Sequence, residues 1–252
     1  MGASGRGLGL ATAHLLAAEG CHVAICDRDQ DVLGEARQSV ERVREGVRVV
    51  AHRVDLSLPD EIGRLVEDVR SELGPIDILI TNSGGPPAGL FDEADDAKWE
   101  AAFQLTFLSA ARLIRCVLPE MRVRHWGRIV NFTSRALKEP IPNLIISNAV
   151  RMAVGGMAKT LAAEVASDGI TVNNVMPGPT ATDRQMELVR RQAAKASLSD
   201  EEMLSEIVRQ IPIGRLARPD EPAAAAVFLA SEVASYITGV SLLVDGGAVR
   251  AL

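Results

Sequence analysis

The sequence predicts an α/β protein built as a doubly wound parallel sheet, and three observations carry that prediction. Short apolar runs of strand character alternate with helical patterns from end to end. The runs are rich in Val and Ile and mostly do not alternate with polar residues, as expected of strands covered by helices on both faces. A glycine-rich turn leads straight into an amphipathic helix, and an acidic residue closes the next apolar run.

In chain order, GASGRGLG (Gly2–Gly9) opens the helix ATAHLLAAEG. Strands are expected at Cys21–Cys26, Val47–Val54, Asp77–Thr81, Arg128–Phe132, Thr171–Val175 and Ser241–Val244. Helices of roughly 11–25 residues lie between them on the periodicity criterion. Ser57 with Asp60 has the form of a capping box for the helix ending at Leu73, and Gly20 and Gly74 stand where helices should stop. Strand–helix–strand order implies right-handed crossovers in one parallel sheet. No linker, repeat or low-complexity tract divides the 252 residues, so one domain is expected over 1–252. Residues 183–209 are helical, polar and charged and interrupt the strand rhythm after Pro177-Gly178. An insertion at the carboxyl ends of parallel strands overlies the ligand crevice, so this one reads as a substrate lid; an ordinary surface hairpin is the alternative.

A mean hydropathy of +0.12 excludes disorder. Charges break the apolar stretches short of the ~18 residues a membrane span requires, and the opening MGASGRGLGL has no apolar export signal. A net charge of −6 argues against nucleic acid, which demands a basic stripe. Cys21, Cys26 and Cys116 form no C-x-x-C pair and no metal-ligand spacing, and a reducing cytosol fits them. Cys21 and Cys26 are expected on opposite faces of one strand. The histidines, His14, His22, His52 and His125, form no metal set with carboxylates.

The glycine turn is suited to a pyrophosphate, because glycines permit close approach and the helix start offers free N–H groups. Ser4, Gly5, Arg6, Gly7, Leu8 and Gly9 are therefore candidate cofactor contacts. Asp27, 18 residues beyond Gly9, is placed to accept the adenosine ribose hydroxyls. A carboxylate there repels a 2′-phosphate, so NAD(H) is favoured over NADP(H), with the neighbouring Arg28 pulling the other way. A fold of this kind also needs a central strand before the loop, and only Met1 precedes Gly2. The expectation is a native product beginning about a strand's length upstream. A misassigned start codon and a truncation whose gap is filled some other way are the alternatives.

From Gly2 to Gly247 the chain resembles the short-chain dehydrogenase/reductase family, in its 3-oxoacyl-ACP-reductase-like branch. The resemblance is carried by Ile213-Gly214-Arg215, Arg218-Pro219-Asp220-Glu221 and FLASEVASYITGVSLLVDGG. ITVNNVMPG (Ile170–Gly178), GRIVNFTS (Gly127–Ser134) and TNSGG (Thr81–Gly85) add to it. It implies a Rossmann-type domain that interconverts a small-molecule carbonyl and alcohol with NAD(P)(H), often as a homodimer or homotetramer. By resemblance, Asp55 and Leu56 cradle adenine, and Asn82 and Gly84 shape the crevice floor. Pro177, Gly178 and Thr180 hold the nicotinamide amide, and Thr182 contacts the amide or the phosphates.

The departures from the family pattern bear on chemistry. Ala3 stands at the first glycine of the fingerprint. Of the family's Asn, Ser, Tyr and Lys, only Ser134 is kept: Thr106 takes the asparagine position, Ser147 the tyrosine and Arg151 the lysine. A serine hydroxyl is a far weaker acid than a phenol, and an arginine does not release a proton at working pH. Ser147 and Arg151 are four apart, so they share a helix face. The reading is a modified site: Ser134 and Ser147 bind a carbonyl or oxyanion, Arg151 holds ribose or a substrate carboxylate, and water supplies the proton. A nucleotide-binding subunit without turnover and a non-redox enzyme reusing the crevice are the rivals. Lys138 and Glu139 are outlying acid–base candidates. The helix Leu144–Ala166 is apolar round most of its circumference, so a second surface is expected to meet another subunit.

Overall fold

In the computed structural model, which describes residues 5–251, every strand forms where the apolar runs place it, within a few residues. They are β1 (Val23–Asp27), β2 (Val49–Arg53), β3 (Ile78–Thr81), β4 (Gly127–Phe132), β5 (Ile170–Pro177) and β6 (Ser241–Val244). All pairings are parallel: β1 with β2, and separately β3-β4-β5-β6 in that order. Among the described residues no ladder joins β1 to β3. Between these two edges lies a cavity of about 230 Å³, lined by Ala24 and Ile25, Ile78 and Ile80, and the helix side chains Leu16 and Val69.

Helices cover both faces. One layer holds α3 (Pro59–Leu73), α5 (Ser109–Arg124) and α6 (Ile145–Val165). Their buried Leu65, Val69, Leu113, Val117, Ala158 and Val165 pack on Leu79, Ile129 and Val172 of the sheet. The opposite face of the same strands, through Ile80, Val130, Phe132 and Val175, meets Ala226 and Leu229 of α9 (Asp220–Ala230). Adjacent β4 residues thus bury in opposite directions, which the pleat requires. Each fully buried Leu or Val of this kind contributes roughly 1.5–3 kcal/mol. The helix α1 (Gly7–Ala18) packs beside α9 and shares a smaller core with β1, β2 and α2 (Gln30–Glu41).

Local signals were mostly realised. Gly20 at φ +89° follows the end of α1, and Gly74 at φ +93° ends α3. The capping box did not form. Ser57 instead gives both its N–H (2.9 Å) and its hydroxyl (2.7 Å) to Asp55, and α3 starts one residue later at Pro59. Cys21 precedes β1 rather than sharing it, and no disulfide joins the cysteines among the described residues. Helix α4 (Asp96–Ala102) runs through a π-helical turn, Phe103–Leu108, into α5. This 29-residue helix is long and apolar enough by length and composition to span a membrane, which the sequence reading did not anticipate. Its Leu113, Val117 and Met121 are buried in the core cluster, which accounts for the apolar composition.

Register across β3–β6 is held by a buried polar ladder. Thr81, Asn131, Asn174 and Ser241 are direct partners on successive strands. The Thr81 hydroxyl donates to Asn131 Oδ1 (2.7 Å), Asn131 Nδ2 to Asn174 Oδ1 (3.0 Å) and Asn174 Nδ2 to Ser241 Oγ (2.9 Å). Each interior amide therefore has its partner, as burial demands.

Candidate active site

Parallel strands direct their following loops to one edge, and there the chain forms a cleft of about 1170 Å³. The first wall is the start of α1. The N-cap residue Arg6 makes no side-chain cap, so among the described residues the N–H groups of the first turn face the cleft without one, the arrangement that attracts an anion. Gly7 turns at φ +55° against Thr182. A Cβ on Gly5 would lie 2.6 Å from Val32 Cγ1 and 2.7 Å from Asp27 Oδ2, so only glycine fits where the turn passes the end of β1. Ser4 lies outside the described residues. Arg6, Gly7, Leu8 and Asp27 line the cleft, while Gly9 faces the cavity between β1 and β3.

The adenosine-side candidates form a neighbouring hollow of about 420 Å³, whose lining includes Arg28, Arg53, Asp55 and Arg64. Burial alone would raise the Asp55 carboxyl, but the two Ser57 hydrogen bonds and the Arg28 charge hold it below its ordinary value. Leu56 is buried in the main core. Asp27 is tied up locally: its Oδ1 accepts from the N–H groups of Arg28 (2.8 Å) and Asp29 (3.2 Å).

The floor and far wall carry Asn82 and Gly84 after β3, Ser134 after β4, Ser147 and Arg151 on α6, and Pro177, Gly178, Thr180 and Thr182 after β5. Gly178 donates its N–H to Val244 (2.9 Å), and its position leaves no room for a Cβ against Asp245. Ser134 Oγ accepts from the Ala136 N–H at 3.1 Å. Arg151 Nη1 donates to the carbonyls of Phe132 (3.2 Å) and Thr133 (2.9 Å). Burial, and behind it the neighbouring Arg184, pulls this guanidinium down to about 10, so it remains charged at neutral pH.

Thr106 is placed differently. It is buried inside the π turn, is not among the cleft-lining residues, and its Oγ1 has no partner. Such turns cluster at functional sites. Lys138 and Glu139 do not line the cleft, and Glu139 accepts the Arg250 N–H. The sequence reading named no residue within 183–209. There α7 (Asp183–Ala196) and α8 (Asp200–Arg209) bring Arg184, Glu187, Arg191 and Lys195 into the lining. Arg184 donates to the Pro86 carbonyl, and Lys195 pairs with Glu93 at 3.3 Å, so α7 is clasped to the loop after β3. Arg135, next to Ser134, also lines the cleft. The only available signal for these residues was their charge close to the motifs.

A helix start aimed at the cleft, a glycine cradle and a long crevice at the strand ends fit a dinucleotide; fold and site together define a nucleotide-dependent oxidoreductase. A family model described as enoyl-(acyl carrier protein) reductase matches residues 2–249. The chain is 30% identical to NADPH-dependent reductase BacG of Bacillus subtilis over 252 residues, covering 100% of this chain and 97% of the relative. Its structure is similar to L-sorbose reductase from Gluconobacter frateurii complexed with NADPH and L-sorbose. That match has a TM-score of 0.93 and 35% identity and covers 100% and 96% of the two chains. An NADPH-bound short chain oxidoreductase from Pseudomonas aeruginosa PAO1, described as containing an atypical catalytic center, matches with a TM-score of 0.90 and 31% identity, covering 100% and 96%. The chain belongs to the short-chain dehydrogenase/reductase family and is an NAD(P)-dependent oxidoreductase.

The expected preference for NAD(H) is corrected by these NADPH complexes. A ribose-binding Asp27 needs a free carboxylate. In the fold, one of its oxygens is satisfied by backbone N–H groups, and cations stand at the same corner, Arg6 on Asp29 and Arg28 near Asp55.

Proposed function

We propose that the protein interconverts a small-molecule carbonyl and the corresponding alcohol with NADP(H), in the manner of a 3-oxoacyl-ACP-type reductase but with water supplying the proton. The observation that carries this reading is the convergence of Ser134, Ser147 and Arg151 on one cleft with the dinucleotide cradle, while Tyr236 is fully exposed elsewhere. When bound, the reduced nicotinamide supplies a hydride to the carbonyl carbon, and a water-derived proton completes the alcohol. Ser147, on the cleft-facing side of α6, donates a hydrogen bond to the substrate oxygen. Ser134 donates a second. Arg151, one turn further along α6, places a permanent positive charge beside that oxygen's site, for the ribose or a substrate carboxylate, an interaction strongest in a site shielded from water. Arg6, Arg28 and Arg53 supply cationic side chains for the 2′-phosphate near the end of β1, and Asp55 borders the adenine, while Leu56, buried in the core, does not face the adenosine-side hollow.

We read α7 and α8 as a lid over a single dinucleotide-binding domain, with their inner residues bounding the substrate. The exposed Phe103 and Met152 on α4–α6 suit a homodimer or homotetramer, and three cysteines outside any disulfide among the described residues suit the cytosol. One observation favours a second reading, a dinucleotide-binding subunit with little turnover: Arg151 spends part of its donor capacity on main-chain carbonyls.

Fluorescence titration with NADPH and NADH, followed by a carbonyl screen, tests the proposal. NADPH should bind at least ~10-fold tighter and a ketone should turn over. Ser147→Ala should lower kcat by roughly 10- to 1000-fold. Binding without turnover selects the second reading, and turnover unchanged in both Ser147→Ala and Arg151→Met overturns the assigned roles.

A further inference from the structure

We propose that the substrate is an oxo acid, a carbonyl compound whose free carboxylate is held by Arg151 at the floor of the cleft. The proposal rests on the carbonyl-reductase reading and names its substrate class. Among the described residues, most cations around the cleft are already neutralised. Arg6 pairs with Asp29 (3.0 Å), Arg184 and Arg191 with Glu187 (3.0 and 2.8 Å), and Lys195 with Glu93 (3.3 Å). Arg151 and Arg135 have no carboxylate within 4.0 Å among the described residues, and both line the cleft around Ser134.

A guanidinium carries five N–H donors, and the two carbonyls on Arg151 engage only Nη1. Nε and Nη2 remain for a ligand. A buried cation without a counter-ion is costly, and a carboxylate removes that cost with two parallel hydrogen bonds. Water or ribose hydroxyls would satisfy the donors but not the charge. The spacing also fits. Ser147 and Arg151 are one helical turn apart on one face, so a carbonyl over the first and a carboxylate over the second lie ~6 Å apart. That span suits one to three carbons between the two groups. A neutral ketone leaves the guanidinium uncompensated, and an acyl thioester presents no carboxylate.

The test compares 3-oxobutanoate, 4-oxopentanoate and 5-oxohexanoate with their methyl esters, using NADPH and the full chain. In the unmodified protein kcat/KM should favour the acids by roughly 10- to 100-fold, the range of a charge-assisted hydrogen bond. In Arg151→Gln the ratio should fall to about threefold or less, and Arg151→Lys should restore part of it. The unmodified protein decides the matter even if Arg151→Gln does not fold, because equal rates for acid and ester overturn the proposal and leave the reductase reading intact. If nothing turns over, calorimetry on the NADP⁺-loaded protein decides. Acid bound at least ~10-fold tighter than ester supports the anion site while the reductase reading fails, and no discrimination overturns both.

Discussion

At the scale of single residues, local bonding changed what each candidate could do. Asp27 stands where a ribose-binding acid belongs, yet Arg28 and Asp29 already donate their N–H groups to one of its oxygens. Arg28 lies at the same corner, 4.0 Å from Asp55, with its side chain largely exposed. A guanidinium that exposed can swing to a 2′-phosphate without breaking a strong pair. Arg28→Ala should therefore raise KM for NADPH by roughly 10-fold, the loss of one charge-assisted hydrogen bond, and leave KM for NADH nearly unchanged. Initial-rate kinetics with both cofactors check it. Ser134, Ser147 and Arg151 were legible because flanking motifs fixed the alignment. Arg135 and Arg184 were not, since a charge in a polar segment has the same appearance whether it faces solvent or a cleft.

At the scale of elements, the buried ladder Thr81–Asn131–Asn174–Ser241 holds four strands in register. Asn131 is its centre, completely buried and bonded on both sides. Asn131→Ala removes the partners of the Thr81 hydroxyl and of Asn174 Oδ1 and should cost on the order of 3 kcal/mol. Denaturant unfolding measures that loss. Near the start of α9, Arg215 forms two 2.7 Å hydrogen bonds to Glu221, which also accepts from the Arg218 N–H. These hold the Glu221 carboxyl at about 2, against 4.5 unperturbed. A depressed carboxyl contributes stability above its unfolded value and loses it as pH falls through the folded one. The difference in melting temperature between the native chain and Glu221→Gln should thus be present above pH 4.5 and vanish towards pH 2. Strands and helix ends followed from local sequence, since periodicity, Gly20 and Gly74 act over a few residues. The failed capping box and the π turn did not, because Asp55 outcompeted the backbone for Ser57 and tertiary packing shaped Phe103–Leu108.

At the scale of the whole molecule, the sheet is described in two pieces with an apolar cavity between β1 and β3. Arg128 donates its N–H to the Asp77 carbonyl, which sets the parity of β3 and turns the backbone groups of Ile78 and Ile80 towards that cavity. Their amides should exchange with solvent deuterium on the order of 100-fold faster than those of Ile129 and Val172 inside the ladder. Mass spectrometry on the intact chain checks this, and equal protection would mean that the edge is paired.

The sequence by itself determined the class of fold, the strand positions and the family. Those follow from patterns that repeat locally or stand in fixed order along the chain. Only the tertiary structure decided which charges are spent on one another and which are left facing the cleft. Glu93 reaches Lys195 from the loop after β3, Glu187 pairs with Arg184 and Arg191 within α7, and Asp27 is satisfied by the turn that follows it. Coulomb energy depends on distance and burial rather than on sequence separation, so the unneutralised Arg151 emerged only once the chain had folded around it.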